Sequence, residues 1–333
     1  MTKSLKDLAR EVMAQYDFVP REIEVVQGSA PKAVWKICNG QDSRCLKRLR
    51  PKKKLEFTTG AQYYLSTKGA KVPALYKTLD DSLVAIHDGE VFALYAWIEG
   101  RTYGMNNENG LRFGMQGLAE FHRDSTGYEP VAGVVVSSKL GRWPEQYQTI
   151  YERLLAWENQ ARSNSSYASL SRFSREVGGF ITLVEESLIQ LEKSGYHDWV
   201  KESQSSRSLC HQDYGEGNFV VTDGGVYVLD LDDVTFDLPA RDLRKIVNKV
   251  MSARGAWNRE ILDWILDYYQ QFNPLTPEQR RVLFIDLLFP HVFHDTFKNA
   301  FRKGQPAKLS KLSAVVKLEQ SKLKIIRQLL QIE

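Results

Sequence analysis

The chain has 333 residues, of which 43% are hydrophobic and 26% are charged, as in ordinary globular proteins. The net charge of +4 is weak evidence for an anionic partner, and three cysteines without CxxC spacing favour a reducing cytosol over a disulfide framework. Residues 1–10 lack the apolar core of a signal peptide, and no apolar run approaches the ~20 residues that span a bilayer. We therefore expect a cytoplasmic protein with no membrane anchor and no nucleic-acid partner.

The first hundred residues predict a helix followed by a small antiparallel sheet. Apolar residues between Leu5 and Met13 recur at helical spacing. Asn39-Gly40 and Asp88-Gly89 are typical of hairpin turns. A helix is predicted between the two hairpins, at about residues 54–67. The candidate strands lie at residues 22–26, 33–38, 44–49, 82–87 and 91–97.

From about residue 106, long helical patterns dominate, with a polar segment at 159–171 that predicts a loop. Near residue 210 a short hairpin, with strands at 219–222 and 226–231, interrupts the helices, which resume at about 239. This order predicts an α+β, bilobal, protein-kinase-like fold. Its small antiparallel β lobe would span residues 1–98, and its mostly helical lobe residues 99–333.

The most informative segment is His211–Asn218, which has the pattern HxDxxxxN, followed twelve residues later by Asp230 at the end of an apolar strand. Phosphoryl transfer needs a carboxylate that accepts the proton of the attacking hydroxyl, and oxygen ligands that hold Mg²⁺ on the phosphates. Asp213 is the candidate base, and Asn218 and Asp230 are the candidate metal ligands. The pattern alone also fits a polar surface loop; the hairpin and the strand-end carboxylate make it specific.

A second segment, His122-Arg123-Asp124, spells the HRD motif of protein kinases. That motif needs Asn five residues after the aspartate, and position 129 is Glu. No hairpin follows it. We therefore assign His122 to the end of a packed helix and give Asp124 no catalytic role.

The chain resembles the aminoglycoside phosphotransferase and choline kinase superfamily over about residues 20–300, and within it the CotS-type spore coat proteins. The helix Leu-Ala-Glu-Phe-His resembles the family's LAxxH helix, and Trp-Ile-Glu-Gly resembles its segment between lobes. The first two segments lie at residues 118–122 and 97–100. The narrower resemblance rests on three sequence segments: HQDYGEGNFV at 211–220, VLDLDDVTFDLPARDLRKI at 228–246 and KLGRWP at 139–144.

The resemblance implies ATP and Mg²⁺ as cofactors, with Trp97 and Ile98 at the nucleotide. Lys47 would hold the phosphates, although Arg44 and Arg48 are alternatives. Glu56, its expected partner, is the only acid on the following helix and lies a turn early.

The phosphate-covering loop would be Gln27–Lys32, whose one glycine is Gly28. Asp232 either assists Asp230 or makes hydrogen bonds within the lobe. The C-terminal stretch predicts an amphipathic helix with a solvated basic face.

Two functions remain compatible with the sequence. The first is an ATP-dependent kinase that phosphorylates the hydroxyl group of an unidentified small molecule. The second is a non-catalytic spore coat component that uses a kinase-like fold for assembly, with other spore coat proteins as partners. In either case the resemblance implies a protein made in the cytoplasm and deposited on the spore coat.

Overall fold

The computed structural model describes residues 4–28, 32–163, 168–302 and 309–332. It begins with helix α1, Leu5–Met13, which Ser4 caps by accepting a hydrogen bond from the Asp7 amide at 3.2 Å. A sheet follows, interrupted after its third strand by helix α2. The elements are β1 (Glu22–Gln27), β2 (Ala33–Cys38), β3 (Ser43–Leu49), α2 (Leu55–Thr67), β4 (Leu75–Tyr76), β5 (Ala85–His87) and β6 (Glu90–Ala96).

The sheet is antiparallel, with the order β1-β2-β3-β6-β4 and with β5 also pairing with β6. Its core-facing residues alternate along β2, where Ala33, Trp35 and Ile37 are fully buried. They pack in one cluster with Val12 and Met13 of α1. The apolar spacing of α1 is therefore explained by the sheet face that it covers.

Helix α3, Glu108–Asp124, packs on the predicted hairpin, whose strands are β8 (Phe219–Thr222) and β9 (Gly225–Val228). Close approach requires small residues on the helix, because a Cβ on Gly117 would lie 2.7 Å from Val226 Cγ1. The Tyr214 hydroxyl donates to the carbonyl of Gly114 at 2.8 Å. These contacts hold the loop before the hairpin against α3. Short strands β7 (Leu209–Cys210) and β10 (Thr235–Phe236) pair with each other.

The chain divides into two compact units, 1–138 with 207–235, and 139–206 with 236–333. These bounds differ from the predicted lobes 1–98 and 99–333, which stay a prediction. The second unit is helical. Its helices are α4 (Trp143–Ser163), α5 (Ala168–Glu192), α6 (Tyr196–Ser206), α7 (Ala240–Arg254), α8 (Arg259–Gln270), α9 (Pro277–Leu288), α10 (His291–Arg302) and α11 (Leu309–Leu330).

Two sequence expectations for this helical unit have different outcomes. The loop predicted at 159–171 is wrong at both ends, because α4 and α5 continue into it, while 164–167 lie outside the described residues. The amphipathic C-terminal helix is confirmed, with Leu312, Val316 and Ile326 buried. Among the described helices, none is long and apolar enough to cross a bilayer. The α+β class, an antiparallel sheet followed by a mostly helical remainder, is confirmed.

Candidate active site

The loop that precedes the hairpin is fixed by His211, which is fully buried. Its Nδ1 accepts the amide of Asp213 at 3.3 Å, so the ring proton is assigned to Nε2, which donates to the carbonyl of Leu229 at 2.8 Å. Gln212, between them, adopts a left-handed backbone with φ 72°. The histidine therefore ties the Asp213 loop to the end of β9, one residue before Asp230.

Asp213 presents an exposed carboxylate, for which the described residues provide no hydrogen-bond or ion-pair partner. Its main chain is held, because its carbonyl accepts the side-chain amide of Asn218 at 2.7 Å. Gly217 turns the loop with φ 90°, a conformation that glycine adopts at no steric cost. A fixed backbone with an available carboxylate is the arrangement that a general base requires.

Asn218 and Asp230 lie at facing ends of the hairpin. The amide of Leu229 donates to the carbonyl of Asn218 at 2.9 Å and so continues the β8–β9 ladder. Asp230 then takes a left-handed backbone, φ 59°, and starts a 3₁₀ turn over Leu231–Asp233. Because the Asn218 nitrogen is bound to the loop, its amide oxygen is the atom left to meet a cation.

Lys47, on β3, reaches the same end of the hairpin. Its Nζ lies 2.6 Å from Asp230 Oδ1 and 2.8 Å from Asp232 Oδ2. Burial disfavours the ammonium, but attraction to Asp232 and Asp230 outweighs it and raises the pKa of Lys47. Burial likewise opposes ionisation of Asp230, yet Lys47 lowers its pKa. At Asp232, burial and the neighbouring Asp230 outweigh Lys47 and raise the pKa.

The alternatives to Lys47 are engaged elsewhere. The Arg48 guanidinium contacts both oxygens of Glu90 at 2.9 and 3.0 Å. The Arg44 guanidinium stacks 3.8 Å from the ring centroid of Tyr76. Lys47 is therefore the one of these three side chains that faces the carboxylates.

Glu56 is exposed in the first turn of α2, and Lys47 bonds the two aspartates instead. The start of α2 is held to the 3₁₀ turn by Lys52 and Lys54, whose Nζ atoms lie 2.7 and 3.0 Å from Asp233 Oδ1. The expected Lys–Glu pair is replaced by a Lys–Asp–Asp cluster.

Lys47, Asn218 and Asp230 line a cleft of about 580 Å³, whereas Asp213 is not among its lining residues. Five predicted site residues line it: Lys47, Trp97, Ile98, Asn218 and Asp230. Apolar side chains supply much of the remaining wall, as expected for a nucleotide base or another small ligand. Asp232, Gln62, Lys32, Glu99, Ala33, Val34, Tyr95 and Leu229 are also in the lining.

Gly28 is not among the cleft-lining residues. It follows β1, and a Cβ there would lie 2.9 Å from Leu5 Cδ1, so its small size serves the packing of α1. Residues 29–31 of the predicted phosphate-covering loop lie outside the described residues. A loop resemblance does not distinguish a glycine required for close packing from one that contacts a ligand.

Sequence reasoning missed Gln62 and the connector pair Lys36–Glu99. Gln62, inside α2, lines the cleft and donates to the carbonyl of Pro73. Glu99 accepts from Lys36 Nζ at 2.5 Å and from Trp97 Nε1 at 2.8 Å. A polar residue on the apolar face of a predicted helix was the available signal for Gln62.

The donor set fits a divalent cation. The Asn218 amide oxygen and the carboxylates of Asp230 and Asp232 are hard oxygen ligands of the kind that Mg²⁺ prefers. Asp230 and Asp232 each bind Lys47 through one oxygen and keep a second. Lys47 Nζ already places one positive charge against these two carboxylates.

Comparison with known proteins finds relatives in sequence and in fold. Spore coat protein S of Bacillus subtilis (strain 168) is 26% identical over 290 residues, covering 86% of this chain and 82% of the relative. An aminoglycoside phosphotransferase of Alicyclobacillus acidocaldarius superposes with a TM-score of 0.76 at 16% identity, covering 99% of this chain and 98% of that one. A spectinomycin phosphotransferase, solved with ADP and spectinomycin, gives 0.54 at 14% identity, with 96% and 95% covered.

These likenesses confirm the predicted kinase-like fold and the resemblance to spore coat and aminoglycoside phosphotransferase proteins. The family model described as "Spore coat putative kinase YutH" matches residues 44–329, most of the sequence. The chain therefore belongs to this spore coat kinase-like family.

Proposed function

We propose that the protein is a kinase that transfers the γ-phosphoryl group of ATP to a hydroxyl group of a small molecule. The observation that carries the proposal is the placement of Lys47, Asn218 and Asp230 on one cleft, beside a loop that presents Asp213. All four residues belong to the same compact unit. The loop and the metal-binding end of the hairpin are joined by the bonds of His211.

Each residue has a defined role in this proposal. Mg²⁺, when bound, neutralises charge on the phosphates. Asn218 and Asp230 would hold it through oxygen atoms, and Lys47 would bind phosphate oxygens. Asp213 accepts the proton of the acceptor hydroxyl as its oxygen forms the new bond to the γ-phosphorus. The bond from that phosphorus to the bridging oxygen breaks, and ADP leaves.

A non-catalytic spore coat component is the second candidate. It is favoured by the names of the curated relatives, Spore coat protein S and an endospore coat-associated protein. Among the residues that the structure describes, Gly28 does not line the cleft, and this also favours the second candidate, because a phosphate-covering loop is expected to contact the ligand through glycine. Both candidates place the protein on the spore coat with other coat proteins as partners, and they differ in whether phosphoryl transfer is needed.

Nucleotide binding is tested by thermal unfolding with and without Mg-ATP. A ligand at a hundredfold its dissociation constant adds about 2.7 kcal/mol of stability. Asp230→Ala should abolish the part of the shift that depends on Mg²⁺. Asp124→Ala is the matched control, since Asp124 pairs with Arg123 at 2.8 Å at the end of α3 and should leave the shift intact. Equal effects of the two substitutions would refute the assigned site.

Catalysis is tested with Asp213→Asn, which keeps the size of the side chain but cannot accept a proton. A positioned base contributes ~10²–10⁴-fold, so phosphoryl transfer should fall by that factor while Mg-ATP binding persists. The assay measures ADP release across a panel of hydroxyl-bearing metabolites. A folded Asp213→Asn protein with full activity would exclude Asp213 as the base. Normal spores with this variant would favour the coat-component candidate.

A further inference from the structure

The helical unit contains a second cavity, of about 360 Å³, between one face of α7 and the start of α10. It is open to solvent rather than enclosed, and it is large enough to admit a small anionic group. None of its lining residues lines the cleft that contains Lys47. Its polar and charged lining residues include Arg244, Lys245, Asn248, Lys249, His291 and Asp295.

Asn248 provides the first indication of a ligand. The residue is only 9% exposed, yet its side-chain amide makes no hydrogen bond to any of the described residues. An amide without a partner among the described residues keeps its donor and acceptor capacity for a ligand. Since Asn248 lines the cavity, its amide is positioned to bind what enters there.

The charge of the lining indicates the class of ligand. Arg244, Lys245 and Lys249 contribute three cationic side chains, all from α7. The one acidic lining residue, Asp295, already bonds Lys298 Nζ at 2.8 Å and His294 Nδ1 at 3.2 Å. The lining therefore carries an excess of positive charge.

Two further features agree with this charge. Burial lowers the pKa of Lys245; attraction to Asp242 opposes this shift, and weaker repulsion from Arg244, Lys139 and Arg241 adds to it. The first turn of α10, with His291 and Val292 in the lining, also directs the positive end of the helix dipole toward the cavity.

We propose that this cavity binds a small molecule through an oxyanion, either a phosphate or a carboxylate group. Lys245 and Lys249 attract the anion, and the Asn248 amide donates a hydrogen bond to one of its oxygens. Arg244, also in the lining, is held by Asp286, with Nε 3.3 Å from Oδ2. The hydrogen bond from the amide orients the anion, and the two lysines provide the positive charge that attracts it.

The test uses the full chain without nucleotide, so it does not depend on the proposed kinase activity. Binding of inorganic phosphate and of citrate is titrated separately by calorimetry, which distinguishes a phosphate from a carboxylate ligand. Asn248→Asp keeps the shape of the side chain but repels an anion, and it should weaken binding at least tenfold. Lys249→Gln removes an exposed charge and should weaken binding about threefold.

Lys201→Gln is the matched control, because Lys201 is an exposed lysine of α6 outside the cavity. It should leave both affinities unchanged. The proposal is overturned if neither anion binds with a dissociation constant below about 10 mM. It is also overturned if the Asn248→Asp protein binds the anion as tightly as the native chain does. Equal weakening by Lys201→Gln and Lys249→Gln would also overturn it, by showing nonspecific attraction. If Asn248→Asp does not fold, the two lysine variants decide.

Discussion

Two clusters of acidic and basic side chains differ in how many carboxylate oxygens they leave available for a ligand. In the cleft, Asp230 and Asp232 are 30% and 29% exposed in their side chains and share Lys47. In the helical unit, Asp286 is fully buried and accepts from His291 Nε2 at 2.6 Å. Both clusters shift the pKa values of their members.

The difference lies in unused bonding capacity. Asp286 Oδ1 accepts from the Tyr147 hydroxyl at 2.5 Å as well as from His291, and Oδ2 accepts from Arg244. In the cleft, each aspartate offers one oxygen to Lys47 and keeps another for a ligand. A shifted pKa therefore does not by itself identify an active site; exposure together with an available oxygen does.

The largest loss of stability is expected from a substitution that breaks the buried cluster. Asp286→Ala leaves Arg244, His291 and the Tyr147 hydroxyl without their shared acceptor. Removing one partner of a buried ion pair costs about 3–5 kcal/mol, and we expect that loss in the free energy of unfolding. Urea denaturation monitored by tryptophan fluorescence measures it.

Asp230→Ala is the counterpart in the cleft. Lys47 keeps Asp232 as its partner, and the repulsion between two nearby carboxylates disappears. We expect a change of about 1 kcal/mol or less. A larger loss for Asp230→Ala than for Asp286→Ala would reverse the comparison, because the cleft cluster would then be the structural one.

The next largest effect is a pH dependence of the free energy of unfolding, which arises from His291. Burial, and after it the Arg244 charge, lowers the pKa of His291 from 6.5 to about 3 despite the Asp286 carboxylate. Below pH 6.5 the unfolded chain binds a proton that the folded chain does not. Stability is therefore lost as the pH falls, by about 2 kcal/mol between pH 7 and pH 5.

This prediction is measured as the free energy of unfolding at pH 5, 6 and 7. His291→Gln retains a hydrogen-bond donor without a titrating group, so its stability should change less across this range. His197→Gln, at an exposed position on α6, should keep the native dependence. Identical pH profiles for the native chain and His291→Gln would contradict the assignment.

The sequence predicted the parts of the site that are local in the chain. Asp213, Asn218 and Asp230 lie within eighteen residues, and the hairpin pattern places the last two at facing ends of one ladder. Their placement follows from strand periodicity and a tight turn. The partner of Lys47 was not predictable in this way, because Asp230 and Asp232 are more than 180 residues away.

The buried cluster was missed altogether, although its signal is in the sequence. Asp286 interrupts an apolar run, Val282–Phe289, within a predicted helix. A carboxylate inside such a run must be paired, which indicates a buried network. Its partners could not be named, because Tyr147 and Arg244 come from α4 and α7, 139 and 42 residues away.

The smallest expected effect concerns Asp233, which lies beside the cleft cluster but has 44% of its side chain exposed. Burial opposes its ionisation, but hydrogen bonds from Lys52 and Lys54 outweigh burial and lower its pKa to about 2. A depressed pKa stabilises the fold above the unfolded value of 3.8, and this contribution is lost as the pH falls toward 2. Water and salt screen an exposed pair, so Asp233→Asn should cost less than about 1 kcal/mol at pH 7.

The Asp233→Asn experiment tests whether Asp233 belongs to the nucleotide site. Its cost in unfolding free energy should shrink in 1 M salt, where the Debye length is about 3 Å. Mg-ATP affinity should stay within about twofold of native, since Asp233 is not among the cleft-lining residues and its carboxylate holds the start of α2. Asp232→Asn is the matched substitution one residue earlier, at a carboxylate that does line the cleft, and it should weaken Mg-ATP binding. If Asp233→Asn weakened binding as much as Asp232→Asn, the lysines at the start of α2 would belong to the nucleotide site.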